Sequence, residues 1–383
     1  MDELLLIPGP TPVPASVREA SARPMTNHRS PMFAQILKEV LEGMRWVYRT
    51  RAPVLPYASS GTGVLEAAVV NTLSPGDPVL AFSCGAFGDR FAEIARRYGA
   101  RVTKIDVEWG QAVPPDLVGE ALQKNPDARA ILVTHNETST GVQNDLRVIA
   151  HSRGDHPALL LVDAVSSLGA IPLETDAWGL DVVVTASQKA LMCPPGVGFV
   201  AASQRAWEAH RVARMPRYYW DFTLLRTSLE REIPETPFTP AVSIFYALQE
   251  GLRLLRAEGL EASFARHRRL ARATRAGIEA MGLRPVADAA CASSTVTAVW
   301  LPEGLSARAL VDEMYERHRI VLAGGQGKLS GRIFRIGHLG HVHPQDILRC
   351  MEALEDVLTR LHYSVPRGAG VAAAEETLAE VAV

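Results

Sequence analysis

The chain has 383 residues, enough for two or three domains with hydrophobic cores of their own. Its 47% hydrophobic and 21% charged residues are typical of a soluble globular protein, and a formal net charge of −2 excludes strong attraction to nucleic acid or anionic membranes. No apolar run approaches the roughly 18 residues of a membrane span, and the N-terminus lacks the basic start of a signal peptide.

The cysteines are few and lie far apart in the sequence. Cys84, Cys193, Cys291 and Cys350 form no pair with metal-ligand spacing and no disulfide framework. We therefore expect no metal site and a protein of the reducing cytoplasm.

The first half of the chain alternates between strand-like and helical patterns. After a proline-rich N-terminal arm (1–31), expected to be extended, residues 33–50 show the apolar spacing of a helix. Strands are predicted at 78–83, 101–107, 130–135, 158–165, 181–187 and 197–203. Short apolar strands that alternate with helices predict an α/β fold with a mostly parallel sheet, whose ligand binds outside the carboxyl ends of the strands.

The second half predicts a change of architecture. A helix at 240–259 leads out of a large domain that we place at 32–256. A smaller α+β domain at 257–365 follows, and 366–383 are expected to form a loosely ordered tail. In the smaller domain, helices are predicted near 262–281, 306–318 and 344–361, and strands near 295–301 and 332–337.

Lys189 is the most informative residue. The chain has only five lysines among 40 cationic side chains, so 40 − 5 = 35 are arginines, yet Lys189 follows an apolar β-branched stretch. Arginine cannot become a nucleophilic amine, whereas a desolvated lysine can. The position predicts amine chemistry, first of all a Schiff base to a carbonyl. The alternative is a solvated lysine at a strand end.

Further segments at strand ends suggest what the amine binds. The glycine-rich SSGTG before a helix favours a phosphate site, although a plain helix start is the alternative. Asp163 ends an apolar strand and could pair with a protonated pyridine nitrogen, or it could cap a turn. Phe87 could stack on a flat ring, or it could pack in the core. The ordered set predicts pyridoxal phosphate.

At this point the chain resembles a known family. The segments PGPTPVP, SGTG, THNETSTGV, LLLVDAVSSLG, SQKALMCPPGVGF, TPFTPAVSIFYAL and FRIGHLG are similar to those of class V aminotransferases, above all the alanine–glyoxylate and serine–glyoxylate (serine–pyruvate) enzymes. The resemblance covers nearly the whole chain. It implies the fold type I architecture of pyridoxal-phosphate enzymes, with a large domain and a smaller C-terminal α+β domain, and a homodimer with shared active sites.

The resemblance also implies residue roles. Lys189 would form the Schiff base and carry protons, and Asp163 would pair with the pyridine nitrogen. Val165 and Phe87 would cover the two ring faces, although many relatives have Trp in place of Phe87. The remaining implied contacts are Thr138 to the ring hydroxyl; Ser60, Gly61, Thr62 and Gln188 to the phosphate; Thr239 to the phosphate from the partner subunit; and Arg335, Gly9 and His28 to the substrate. Some relatives have Tyr where this chain has Thr236.

The implied activity is a ping-pong transfer of an amino group from alanine or serine to glyoxylate or pyruvate. Alternatives stay open at this point. A phosphoserine or aminophosphonate aminotransferase would need extra cations, which His28 and Arg29 could supply. A cysteine desulfurase or lyase would need a reactive cysteine near the substrate, and the loop 324–332 has none. A dehydrogenase or a subunit of a redox complex is disfavoured by the incomplete dinucleotide fingerprint.

Overall fold

The computed structural model describes residues 3–380. The helices are α1 Ala15–Ser21, α2 Pro31–Tyr48, α3 Gly61–Thr72, α4 Ala86–Arg97, α5 Pro115–Lys124, α6 Leu146–Ser152, α7 Gln204–Val212, α8 Phe222–Leu229, α9 Val242–Glu258, α10 Leu260–Ala280, α11 Ala307–His318, α12 Pro344–Arg360 and α13 Ala369–Ala379. The strands are β1 Leu4–Leu5, β2 Val54–Ser59, β3 Pro78–Ser83, β4 Arg101–Asp106, β5 Ala130–Thr134, β6 Asn136–Glu137, β7 Val142–Gln143, β8 Leu159–Asp163, β9 Val182–Ala186, β10 Gly196–Ala202, β11 Val296–Trp300, β12 Ile320–Val321, β13 Ala323–Gly324 and β14 Ile333–Gly337.

A seven-stranded sheet organises the first part of the chain. Its order is β2-β10-β9-β8-β5-β3-β4, and the pairs are parallel except for those made by β10. Strands β5, β8 and β9 are buried along their whole length, as continuous apolar runs in a parallel sheet require. Helices cover both faces and form two hydrophobic clusters, one on each side. The predicted α/β fold with a mostly parallel sheet is confirmed.

A third cluster lies in the C-terminal part. Helices α10 and α12 pack over the antiparallel sheet β11-β14-β13, and Leu270, Phe334 and Leu354 are buried between them. The predicted helices and strands of this region occur within two residues of their expected limits. The domain boundaries themselves stay predictions.

The N-terminal arm differs from the extended segment expected for 1–31. Residues Ala15–Ser21 form helix α1, which is held in place because the Val17 side chain is buried in the core of the large sheet. Before it, β1 pairs in parallel with β12, with Leu4 opposite Ile320. Leu6 is fully buried in the C-terminal cluster. The arm therefore contacts both parts of the chain.

The C-terminal segment also differs from expectation. Within 366–383, for which a loosely ordered tail was expected, α13 packs against α10 and α12 and buries Ala374. The amides of Gly368 and Gly370 bind the Glu355 carboxylate, at 2.7 and 2.8 Å. The small alanine side chains of α13 let it approach α10 closely. Composition alone does not predict this packing. Residues 381–383 lie outside the described part.

Over residues 3–380, no helix is both long and apolar enough to cross a membrane.

His135, His267 and His338 are buried, and burial lowers the pKa of each, so they carry no charge in the folded protein. His267 donates from Nδ1 to the Ser263 carbonyl, at 2.7 Å, and its Nε2 accepts from the Gly340 amide, at 3.0 Å. Burial lowers the pKa of His267 to about 3, and burial does the same to His135. A proton on His267 Nε2 would face the Gly340 N–H, so the charged form is excluded by geometry as well as by desolvation.

These histidines predict acid sensitivity. An unfolded histidine binds a proton near pH 6.5. Each buried one therefore costs the fold about 1.4 kcal/mol per pH unit as the pH falls below that value toward 3. We expect the melting temperature to fall between pH 6.5 and 5, where most carboxylates remain ionised. In scanning calorimetry between pH 6.5 and 5, the melting temperature of His267→Gln should fall less steeply than that of the wild type, because one fewer proton is taken up on unfolding. An unchanged slope would contradict the neutral state of His267.

Candidate active site

Polar residues converge where the parallel strands end. Asp163 is the last residue of β8, Lys189 follows β9 by three residues, and Ser60 follows β2 directly. These ends surround a cavity of about 180 Å³. Its lining consists of Ser60, Gly61, Thr62, Leu65, Phe87, Arg90, Asn136, Thr138, Asp163, Val165, Ser166, Gln188 and Lys189. Nine of the predicted cofactor residues are therefore brought together.

The Lys189 amine is held inside the protein. Its Nζ donates a hydrogen bond to the Pro8 carbonyl oxygen, at 2.7 Å. Burial lowers the pKa of Lys189 to about 8; the Asp163 carboxylate opposes this effect, and the charges of Arg335 and Arg90 add to it. The amine therefore has a sizeable neutral fraction near pH 7, as a nucleophile requires.

Asp163 is a buried carboxylate, 4% exposed. It accepts a hydrogen bond from the Val165 amide, at 2.9 Å. Burial raises the pKa of Asp163 to about 6, while the Val165 amide and the Lys189 charge lower it. A cationic partner would stabilise the charged form of this buried carboxyl, and a protonated pyridine nitrogen would be such a partner.

The start of α3 forms one end of the cavity. Its first residues, Gly61 and Thr62, have backbone amides without partners inside the helix, and the Ser60 side chain makes no capping bond to them. The positive end of the helix dipole adds to the attraction for an anion. Gln188 also lines the cavity, and the –NH2 group of its side chain is a donor that a phosphate oxygen could accept from. This end suits a phosphate group.

Phe87 and Arg90 lie on one face of α4, three residues apart. The Arg90 guanidinium lies over the Phe87 ring, 4.8 Å from its centroid, and Nη1 donates to Thr62 Oγ1 at 3.3 Å. Sequence reasoning missed Arg90, although its spacing from Phe87 places both on the same side of a helix.

Thr138 belongs to a buried hydrogen-bond network. Its Oγ1 donates to Ser166 Oγ, at 2.8 Å. Asn136 Nδ2 donates to the same Ser166 Oγ and to Thr295 Oγ1, at 2.8 and 2.9 Å. Because Thr295 lies beside β11, this network connects the cavity to the C-terminal part. Asn136 and Ser166 were also missed, though each lies within two residues of a predicted site residue.

Arg335 is placed beside the cavity by β14. It is 5% exposed, and its guanidinium donates to the carbonyls of Gly324 and Thr138, at 2.9 and 3.2 Å. Burial lowers the pKa of Arg335 to about 10, and the Glu137 carboxylate opposes this effect. At neutral pH, Arg335 is a desolvated cation suited to a carboxylate.

Gly9 lies against the lysine. Its φ is +137°, and a Cβ there would be 2.4 Å from Lys189 Nζ, so only glycine fits. Two other predicted residues are not brought to the cavity within one chain. Thr239 is exposed and lines a separate small pocket with Tyr57 and Phe238. His28 is half-buried, and its Nε2 has no hydrogen-bond partner.

The residues present fit pyridoxal phosphate. An amine of lowered pKa, a buried carboxylate without a cation at hydrogen-bond distance and an uncapped helix start line one cavity. These groups match the aldehyde, the pyridine nitrogen and the phosphate of that compound.

The cysteines occupy unreactive environments. Burial raises the pKa of Cys84 and of Cys350 to about 12, and it also raises the pKa of Cys193 above its usual value. A thiol that stays protonated is a poor nucleophile. These environments do not favour desulfurase chemistry.

Comparison with known proteins identifies the family. The family described as aminotransferase class-V matches residues 16–330. A protein named "Soluble hydrogenase, small subunit" from Synechococcus sp. (strain PCC 6716) is 46% identical, with 98% of each chain covered. The L-aspartate–glyoxylate aminotransferase of Paracoccus denitrificans (strain Pd 1222) is 40% identical over 97% of this chain and 95% of that one. The serine–glyoxylate aminotransferase of Arabidopsis thaliana is 37% identical, covering 98% and 94%.

A solved structure shows the same architecture. The alanine–glyoxylate aminotransferase of Nostoc sp. superposes with a TM-score of 0.90 at 32% identity, covering 94% of this chain and 96% of that one. The fold is thus the fold type I arrangement of aminotransferases, and family and fold together imply dependence on pyridoxal phosphate.

The environment of Lys189 predicts selective labelling. At pH 7, an amine with a pKa of about 8 is roughly one-tenth neutral, far more than an ordinary lysine. Reductive methylation of cofactor-free protein, read by mass spectrometry, should modify Lys189 with a midpoint near pH 8. Asp163→Asn should lower that midpoint, because the carboxylate raises the pKa. Lys124, which is 74% exposed, is the internal comparison. Labelling of Lys124 well before Lys189 would contradict the prediction.

Proposed function

Since this chain belongs to the class V aminotransferase family, we propose that it moves the amino group of a small L-amino acid, alanine or serine, to glyoxylate or pyruvate. The observation that carries the proposal is the Lys189 amine. It is desolvated, hydrogen-bonded to a backbone carbonyl and within the field of the buried Asp163 carboxylate.

The residues of the cavity would hold pyridoxal phosphate. Its phosphate would bind the first amides of α3 with Thr62 and Gln188, and Thr239 would reach it from a partner subunit. Its ring would lie between Val165 and Phe87. When bound, this cofactor acts as an electron sink for the bond broken at the α-carbon of the amino acid. Asp163 would keep the ring nitrogen protonated and so sustain that role.

Lys189 would then act on protons. As a free amine, Nζ could accept the α-proton of a bound amino acid and give up a proton in a later step. The Pro8 carbonyl keeps Nζ at a fixed position, which orients the lone pair. A pKa of about 8 lies close to working pH, as efficient proton transfer in both directions requires. The ping-pong cycle uses this exchange twice.

Arg335 would bind the substrate carboxylate. Its guanidinium is oriented by two backbone carbonyls, and it has no side-chain counter-ion at hydrogen-bond distance among the described residues. A guanidinium fixed in this way can bind a carboxylate with two parallel hydrogen bonds. Gly9 leaves room for the Lys189 side chain, since a Cβ there would lie 2.4 Å from Nζ.

Aspartate is the second donor to consider. Arg90 places another guanidinium on the cavity, and the Paracoccus relative is an aspartate–glyoxylate enzyme. Phosphoserine would require further cations. Arg29 is already paired with Glu235, at 3.4 Å, so it is less available for that role. The hydrogenase name belongs to the cyanobacterial relative, whereas the groups in this cavity favour amine chemistry.

A homodimer would complete the site. Thr239 and His28 lie away from the cavity of their own chain, on segments that carry exposed apolar side chains. Met25, Met32, Tyr218 and Ile233 are 66%, 54%, 75% and 46% exposed. Large apolar side chains grouped in this way favour burial against a second copy. Such an interface would bring Thr239 and His28 of one subunit to the cavity of the other.

Colour provides the direct test of the proposed activity. Purified protein with pyridoxal phosphate should show the visible absorbance of a lysine Schiff base, and Lys189→Arg should not. L-alanine or L-serine should bleach the band, and glyoxylate or pyruvate should restore it. Bleaching by L-aspartate alone would move the donor to the dicarboxylic class. A band indifferent to these amino acids and to phosphoserine would contradict the transaminase and favour a lyase.

Mixing an inactive variant with one that binds the cofactor weakly tests the shared site. We expect Lys189→Arg to abolish transamination and Thr239→Ala to weaken cofactor binding roughly tenfold, through loss of a charge-assisted hydrogen bond. If Thr239 acts across the interface, a mixed dimer contains one site with both wild-type residues. Remixed subunits, assayed at limiting cofactor, should then recover activity up to about a quarter of wild type for random pairing. Activity equal to the sum of the separate variants would contradict sharing.

A further inference from the structure

Glu137 is a fully buried carboxylate with no role in the chemistry described so far. Both oxygens accept hydrogen bonds. Oε2 accepts from the amides of Phe87 and Gly88, at 3.1 and 3.0 Å, and Oε1 accepts from the amide and hydroxyl of Ser139, at 3.1 and 2.5 Å. Three backbone amides and one hydroxyl donate to the carboxylate and favour its charged form, while burial acts in the opposite direction and raises the pKa of Glu137.

This carboxylate lies at the start of α4. The N-cap residue, Gly85, has no side chain to cap the helix, and the first three amides belong to Ala86, Phe87 and Gly88. Glu137 binds the last two, and Ser139 Oγ accepts from the Ala86 amide at 2.9 Å. The cap of α4 is thus supplied by β6 and the residues after it.

Gly85 is part of the same arrangement. A Cβ at Gly85 would lie 2.3 Å from Glu137 Cγ and 2.5 Å from Ser139 Oγ. Any other residue would therefore displace the carboxylate. The glycine and the borrowed cap depend on each other, which is why no N-cap side chain occurs at the start of α4.

Two helices begin at the edge of the cavity, α3 and α4, and each start could attract an anion. The Glu137 carboxylate occupies the start of α4 and binds its free amides. The start of α3 has no such occupant, since its N-cap side chain makes no capping bond. An anionic group entering the cavity therefore finds free amides at the start of α3 and not at the start of α4.

We propose that Glu137 is a positioning residue: capping α4 from β6, it fixes the Phe87 ring over the cavity and leaves α3 as the site for the cofactor phosphate. The inference rests on the proposed function, because the ligand that Phe87 covers is pyridoxal phosphate. Glu137 acts through Phe87 and touches neither substrate nor cofactor. Its charge also opposes the lowering of the pKa of Arg335, so it supports the cation on the other side of the cavity.

A double-mutant cycle on cofactor affinity tests this role. Full-length, cofactor-free protein is titrated with pyridoxal phosphate, and the dissociation constant is read from visible absorbance. Glu137→Gln places an amide –NH2 against backbone N–H groups, and we expect affinity to fall about tenfold. Phe87→Ala should also weaken binding about tenfold, by loss of the stacked ring. If Glu137 acts through Phe87, the double variant should bind about as well as Phe87→Ala alone.

Matched variants separate positioning from general loss of stability. Asp145 caps α6, which is distant from the cavity lining, by accepting from the Val148 amide at 3.1 Å. Asp145→Asn should leave affinity unchanged. If Glu137→Gln fails to fold, Ser139→Ala serves instead; we expect a severalfold loss that also disappears in the Phe87→Ala background.

The outcomes are distinct. Losses that multiply in the double variant would overturn the role of Glu137 while leaving the aminotransferase intact. A wild-type protein that does not bind pyridoxal phosphate at all would overturn both the proposed function and this inference. The inference is supported if Glu137→Gln weakens cofactor binding in the wild-type protein but causes no further loss in a protein that already carries Phe87→Ala.

Discussion

The desolvation of one amine is the constraint on which the rest of the structure depends. Lys189 stands past the carboxyl end of a buried strand, where its amine is desolvated, and Asp163 and the Pro8 carbonyl offset part of the cost of its charge. Neither group is stable as an isolated buried ion. Their environment therefore favours a ligand that consumes the amine and supplies a cation to the carboxylate. The surrounding helices, the hydrogen-bond network of Thr138 and the N-terminal arm hold Lys189 and Asp163 in position and limit their contact with water.

Much of the fold could be predicted because its strands are buried on both faces. Continuous apolar runs such as β8 and β9 indicate strands buried on both faces. Polar residues at the ends of such runs are therefore easy to identify in the sequence. The elements that differed from expectation, α1 and α13, are short or alanine-rich. Their helical state depends on packing against distant partners, which local patterns do not record.

The candidate site shows the same division. Lys189, Asp163 and Thr62 could be found because each has an unusual chemical type for its position. Arg90, Asn136 and Glu137 could not, since arginine is common in this chain and the other two look like ordinary loop residues. Their significance lies in which backbone groups they meet: Glu137 binds amides 49 and 50 residues away. Such pairings exist only after the sheet has formed.

The N-terminal arm has a consequence for the order in which the protein can be assembled. Leu4 is the partner of Ile320, and the carbonyl that holds the Lys189 amine belongs to Pro8. During synthesis on a ribosome, Leu4 must therefore wait until Ile320 has emerged before it can pair. The large sheet and its two cores can form earlier, with the lysine still exposed to solvent. The reactive amine thus acquires its final surroundings only after the strands that follow residue 300 have been made.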